Sequence, residues 1–285
     1  MDKQEKNIPG IRSGVIGFIT DEIVTTPYAL KIFESVQDAA WKEGKTLLLS
    51  NTKNDPVVLA AALDMLVVRQ AEGIIYATMY HHLVTPPELL WKIPSVLLDC
   101  FVADRSLPSV VPDETGGGFK ATSLLLEKGH RRVGFLNNQD PIPATTARLQ
   151  GYVAALTAHG IPFDPALMTS DTSDSDGGYR STQTIMQLPN PPTALFCFND
   201  RMAMGAYYAL SKLGLSVPKD VAVMGFDNQE MIAAHLNPPL STMELPHYEM
   251  GKWAFNYLLE NLNQDRAMQP VQHKLECPYI ERASI

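Results

Sequence analysis

Long apolar runs are missing from this chain. None approaches the roughly 20 residues that a membrane-spanning helix needs, and the opening MDKQEKNIPGIRS holds no apolar core of signal-peptide length. Membrane insertion is therefore not expected, and a cytoplasmic location is the simplest expectation. Basic charge is also short. The 23 Lys and Arg residues stand against 31 Asp and Glu, a net charge of −8, so the chain by itself lacks the cationic face needed to wrap nucleic acid. Cysteine is sparse, and Cys100, Cys197 and Cys277 lie far apart in the sequence. They suit buried free thiols better than a disulfide framework or a metal site.

Catalytic and cofactor signatures are equally scarce. No G-x-G-x-x-G follows an apolar run, ETGGGFKA lacks the spacing of a phosphate loop, and neither G-x-S-x-G nor H-E-x-x-H occurs. TSDSDGGY from Thr172 resembles half of a calcium loop, but its first residue is Thr and the closing position falls on Gln183 instead of a bidentate Glu. It reads as an acidic turn. His81 and His82 read as surface loop histidines with no further ligand at metal spacing. No cofactor, metal or catalytic residue is expected.

What the chain does have, in 285 residues that are 45% hydrophobic, is a repeated alternation of short apolar runs with helical periodicity. GVIGFIT, TLLLS, GIIYA and SVLLD read as strands, with helices over 28–42 and 56–69 among them. After Asp113 the rhythm restarts. Helices over 118–128, 145–159, 179–187 and 200–213 alternate with RVGFLNN, LMTS, ALFCF and VAVMG. Strands joined by helices make parallel sheets, so the expected class is α/β with two lobes of the same architecture. The openings GVIGFITD and RVGFLNNQ look like corresponding strands of an internal repeat. No Gly/Ser linker separates the lobes, which points to short crossing strands near 110–113, 240–245 and 268–273. A helix over 248–261 is expected to return to the first lobe and bury its apolar face there.

Ligands of such sheets collect beyond the carboxyl ends of the strands. That rule draws attention to Asn199 and Asp200, and to Asp227 and Asn228, each pair directly after an apolar run. The Met-bearing face of the intervening helix, with Met202 and Met204, reads as core or interface packing.

Four fragments in order, LEKGHRRVGFL, ARLQGYVAAL, NDRMAMGAYYALSKLGLSVPKDVAVMGFDN and PPLSTMELPHYEMGKWAFNYLLE, resemble the effector-binding domain of bacterial repressors of the lactose and galactose repressor family. The resemblance spans residues 14–282. It implies two Rossmann-like lobes joined by a three-stranded hinge, the type I periplasmic-binding-protein arrangement. The lobes would comprise 14–112 with 245–269 and 113–244 with 270–285, preceded by a disordered or linker remnant over 1–13. It further implies a small-molecule effector in the interlobe cleft and a homodimer, to which helices 28–42 and 56–69 would contribute. Operator DNA would be bound through an N-terminal helix-turn-helix and hinge of roughly 60 residues. Only Met1 to Ser13 precede the first strand here, so this chain as it stands is not expected to bind an operator.

By the same resemblance the ligand-contacting residues are Asp21, Tyr28, Asp99, Arg148, Asn199 and Asp227, with Ser173 and Asp113 as further candidates. Carboxylates, an amide and a guanidinium suit sugar hydroxyls, which both donate and accept. Each has a plainer alternative: a surface ion pair for Arg148, a helix cap for Asn199, solvated or capping carboxylates for Asp21 and Asp99, and packing for Tyr28. Two departures bear on the effector. Many members carry an aromatic platform where this chain has DTSDSDGGY, with Ser173 nearest the position. Ile142, Pro143 and Ala144 stand where purine-binding members use basic and hydroxyl residues, which favours a sugar or sugar derivative over a purine. A periplasmic transport protein of the same fold is the competing expectation, and a carboxylate-dependent sugar enzyme a third. Without a motif fixing two carboxylates at a scissile bond, the enzyme is the weakest.

Overall fold

A computed structural model describes residues 13–22, 29–262 and 268–285. Tyr28 and the segment 1–12 lie outside the described residues. In chain order the elements are β1 (Val15–Thr20), α1 (Leu30–Lys42), β2 (Thr46–Asn51), α2 (Pro56–Val68), β3 (Gly73–Leu83), β4 (Ser95–Phe101) and β5 (Ser109–Pro112). Then follow α3 (Glu114–Glu127), β6 (Val133–Asn138), α4 (Pro143–Ala158), β7 (Met168–Asp171), α5 (Ser175–Met186), β8 (Ala194–Cys197) and α6 (Asp200–Lys212). The last are β9 (Ala222–Asp227), the short α7 (Glu230–Ala233), β10 (Ser241–Glu244), α8 (His247–Leu262), β11 (Gln272–Leu275) and β12 (Tyr279–Ile280).

The chain divides into two compact units, Met1–Val111 with His247–His273 and Pro112–Pro246 with Lys274–Ile285, so the backbone passes from one to the other three times. The sheet orders are β2-β1-β3-β4-β5-β11 and β7-β6-β8-β9-β10-β12. Each reads second, first, third, fourth, fifth, so β1 and β6 occupy the same place in their sheets. Pairing is parallel along both series, and β12 joins antiparallel to β10. In this order the switch point lies between the first and third strands, where the connections diverge to opposite faces.

Alternation along the second unit's strands explains why its runs are apolar throughout. Phe135, Phe196, Met224 and Phe226 pack on one face with Tyr152, Leu125 and Leu126, while Leu136, Leu195, Cys197 and Val223 pack on the other with Met202, Ala206 and Leu210. Strands covered by helices on both faces have no solvent side to make polar. All three cysteines are buried and unbridged. In the first unit α8 packs against α1, β3 and β4, burying Met250, Ala254, Phe255 and Leu258.

Four boundaries differ from the sequence reading. The strand begun by GIIYA runs on to Leu83 and includes His81 and His82, because after a register shift the backbone pairs again with Cys100 and Phe101. MYHHL carries no apolar alternation to announce this, and the ring of His81 packs edgewise on Phe101 at 5.2 Å. Helix α3 starts at Glu114, ahead of Gly118, since the Asp113 carboxylate accepts from the Gly116 N–H and closes the first turn. Helix α5 likewise starts at Ser175, capped by Asp174. Helix α4 starts at Pro143, so Pro143 and Ala144 form its first turn, where the missing Pro N–H costs nothing.

Candidate functional site

The second unit gathers its polar residues at the carboxyl ends of β8 and β9 and the first turns of α3 and α4. Arg148, in the second turn of α4, is 3% exposed. Its Nε donates to Glu114 Oε2 at 2.6 Å and its Nη2 to Glu114 Oε1 at 3.2 Å, a two-point fork on one carboxylate. Nη2 also donates to Asp227 Oδ1 at 3.3 Å, and Nη1 donates to the Phe198 carbonyl. The guanidinium carbon lies 3.7 Å from the Phe226 ring centroid and 4.4 Å from that of Phe198. Burial disfavours the Arg148 charge, but Glu114 and Asp227 more than offset it and the pKa is raised. Burial also pushes the Asp227 carboxyl above its ordinary value, with Arg148 opposing the shift.

The cluster continues sideways. Gln229 Nε2 donates to Asp227 Oδ2 at 3.1 Å, and its backbone N–H donates to Asp200 Oδ2 at 2.6 Å. Asp200 Oδ1 lies 2.6 Å from the Thr242 hydroxyl. Asn199 Oδ1 caps α6 through the Met202 N–H at 2.9 Å, and its Nδ2 donates to the Ser173 carbonyl at 3.0 Å. The backbone at the end of β9 is unusual, with Asp227 at φ 99° and Asn228 at φ 53°. Such left-handed non-glycine residues concentrate at functional sites because the surrounding structure must hold them there.

In the first unit, Asp21 follows β1 and is 8% exposed. It accepts from the Glu22 N–H at 2.5 Å and from the Met79 N–H of β3 at 3.3 Å, so it sits at that sheet's switch point. Asp99, in β4, is buried with φ 58°, and its carbonyl accepts from the Thr78 hydroxyl at 2.8 Å.

Residues 13–283 match the family described as periplasmic binding proteins and the sugar binding domain of the LacI family. The chain belongs to the LacI family. It is 29% identical over 98% of its length to the HTH-type transcriptional repressor CytR of Escherichia coli K12, covering 81% of that protein. It is 31% identical to the HTH-type transcriptional repressor PurR of Yersinia pestis, over 91% of this chain and 76% of the relative. Among solved structures, a LacI-family transcriptional regulator from Rhizobium etli superposes with a TM-score of 0.87 at 30% identity, covering 96% of this chain and 99% of that one. The chain is an effector-binding domain of this family and not an enzyme. Among the described residues no helix is long and apolar enough to cross a membrane.

The LacI-family candidates thus take distinct places. Arg148 and Asp227 meet directly, and Arg148 is a buried ion pair where the plain alternative was a surface one. Asn199 and Ser173 meet through side chain and carbonyl, with Asn199 also filling the helix cap. Asp113 faces its own helix as a cap. Sequence reasoning passed over Glu114, whose signal was only its place beside Asp113 after a strand. It also passed over Phe198 and Phe226, each one residue before a chosen polar residue, and Gln229.

Asp200 carries a titration of its own. Burial and then the neighbouring Asp227 push its carboxyl well above the ordinary value, with Thr242 and the Gln229 N–H pulling back. A folded pKa above the unfolded one means the folded state binds more protons. Stability is then full below about pH 4 and falls as pH rises toward the folded pKa, by up to about 1.4 kcal/mol per pH unit for one proton. In Asp200→Asn the amide can accept from the Gln229 N–H and donate to Thr242. Urea unfolding from pH 5 to 8 is expected to show a shallower loss of stability in this variant than in the wild type. Parallel curves would refute the assignment.

Proposed function

We propose that this chain is the sugar-class effector-binding and dimerisation domain of a cytoplasmic LacI-type transcriptional regulator, in which effector binding controls operator binding by an N-terminal helix-turn-helix module. The observation that carries the reading is the Arg148–Asp227 pair at the carboxyl end of β9, one strand beyond the switch point, held in strained backbone and offering both donors and acceptors to hydroxyl groups. Asn199 adds an amide at the carboxyl end of β8, and the first unit's carboxylate candidates are Asp21, directly after β1, and Asp99, within β4. Both curated relatives are HTH-type repressors of which this chain covers 81% and 76%, a share that leaves length for a DNA-reading module in proteins of their size. Effector binding would act by favouring one of two conformations, and the coupling equals its differential affinity for them.

The dimer rests on α2. PVVLAAALDMLVV is apolar nearly all round, yet only Ala62, Leu63 and Leu66 are buried. Val57 and Val68 are 75% and 78% exposed, with Val58, Met65 and Val67 also exposed. A helix apolar on every side is stable in water when a partner covers its outer face. A transport-type binding protein would carry a polar surface here. Sedimentation velocity at micromolar concentration is expected to show a dimer that Val58→Glu/Val68→Glu converts to monomer, and a monomeric wild type would overturn the assignment.

Effector binding is tested by thermal shift against uncharged mono- and disaccharides and nucleosides, followed by calorimetry on the best stabiliser. Asp227→Ala is expected to weaken that ligand by about 1–3 kcal/mol, the cost of leaving buried polar groups unpaired. An unchanged affinity would remove Asp227 from the site, and no stabiliser in any class would remove the sugar reading.

A further inference from the structure

A buried guanidinium at a ligand site ordinarily invites an anion, because its planar fork matches a carboxylate or phosphate at two points. In this chain that edge is already taken. Nε and Nη2 of Arg148 are engaged by the two oxygens of Glu114, at 2.6 Å and 3.2 Å, and the second Nη2 hydrogen goes to Asp227. With Nη1 also donating to the Phe198 carbonyl, four of the five N–H groups have protein acceptors and a single Nη1 hydrogen is left. One donor serves a hydroxyl or a carbonyl oxygen. It does not serve a planar anion, which would have to displace Glu114.

Charge points the same way. Two carboxylates share one guanidinium, so the cluster carries a net negative charge in a buried setting where water screens poorly. Glu114 is 5% exposed and lies in the first turn of α3. The other guanidiniums of the region do not reverse the balance. Arg282 is committed to the Leu240 carbonyl and to Asn228 Oδ1, at 2.7 Å and 2.8 Å. Arg201 is exposed, and its effect on Asp227 is the smallest of those that act on that carboxyl. Asp113 adds a carboxylate beside Glu114, at the start of α3.

We propose that Glu114 is a specificity-determining residue, a charge filter that admits an uncharged or cationic polyhydroxylated effector and rejects its phosphorylated or carboxylated form. The filter rests on the effector reading above. Asp227 keeps acceptor capacity for a hydroxyl or an ammonium, and Asn199 keeps one amide hydrogen after serving Ser173. The site thus recognises neutral sugars, nucleosides and amino sugars by the same groups that repel sugar phosphates, sugar acids and nucleotides.

The experiment is calorimetry with matched series: ribose and ribose 5-phosphate, glucose, glucosamine, glucose 6-phosphate and glucuronate, and nucleosides with their 5′-monophosphates. Wild-type protein and Glu114→Gln are compared. In the wild type the anionic member of any series that binds is expected to be weaker than its neutral or cationic partner by about tenfold or more. Glu114→Gln is expected to shrink that ratio by about an order of magnitude. The ratio is the readout, so a general loss of affinity in the variant does not mimic the effect. Should Glu114→Gln fail to fold, the wild-type ratio still decides. An anionic member binding as well as its neutral partner, or an unchanged ratio in a folded Glu114→Gln, overturns the filter while leaving the effector reading standing. Absence of binding by every member overturns the effector reading itself, and the filter with it.

Discussion

Arg148→Met is expected to destabilise the second unit by about 3–5 kcal/mol, the usual cost of removing one partner from a buried ion pair. The guanidinium is the cation between Glu114 and Asp227, both nearly inaccessible to water. Methionine fills much of the volume between Phe198 and Phe226 but leaves two carboxylates facing each other. The loss should depend on pH. With Arg148 gone, the largest opposition to the burial of Asp227 is lost and only Gln229 and Arg201 still pull back, so its folded pKa rises further above the unfolded value and the stability of the variant falls as pH rises. The deficit against wild type is therefore larger at pH 8 than at pH 5. Adding Glu114→Gln and Asp227→Asn to Arg148→Met should return most of the stability, because no buried charge then remains. Urea unfolding followed by far-UV circular dichroism reads all of these. A deficit below about 1 kcal/mol, as for a surface pair, would show that water reaches the cluster. Arg148→Lys keeps the charge without the fork, so it should cost less stability while still weakening effector binding.

Gly151→Ala pits two effects of opposite sign against each other. Helix propensity alone predicts a gain of about 1 kcal/mol in the interior of α4. Packing predicts the reverse. A Cβ at Gly151 would meet the Thr115 carbonyl and lie 2.5 Å from the Phe119 backbone nitrogen, and one at Gly118 would lie 2.6 Å from the Arg148 carbonyl. Helices α3 and α4 therefore cross backbone against backbone, and no flexible side chain is there to give way. Overpacking of this kind costs about 1–3 kcal/mol and occasionally more, so a net destabilisation of about 2 kcal/mol is expected. The same crossing sets the distance from Glu114 on α3 to Arg148 on α4. Gly151→Ala should thus lower effector affinity as well as stability, although Gly151 makes no polar contact with the cluster. A stabilised variant would show that the helices separate without cost.

Much of the fold was legible beforehand, because alternating apolar runs and helical periodicity are local properties. The order of strands and helices, the two repeated halves, the return of α8 to the first unit and the polar strand ends at Asn199 and Asp227 all follow from stretches of about 10–15 residues. Misjudged boundaries had local causes too. Three consecutive glycines concealed the start of α3, and MYHHL concealed a strand that exists through pairing with Cys100 and Phe101.

The sequence by itself determined the α/β class, the family and the chemical types at the strand ends. The tertiary structure decided what those groups do to one another. Glu114 and Arg148 are 34 residues apart, and Arg148 and Asp227 are 79 apart; periodicity within a segment carries no information about such a meeting. It depends on how closely α3 and α4 approach at Gly118 and Gly151 and on which way the strained end of β9 turns Asp227. For the same reason the periodicity of α2 read only as one more apolar helix, and its part in a dimer was an expectation from the family resemblance alone. Whether an apolar residue is buried or left for a partner is decided by how many helices cover that face of the sheet, and only the assembled unit fixes that number.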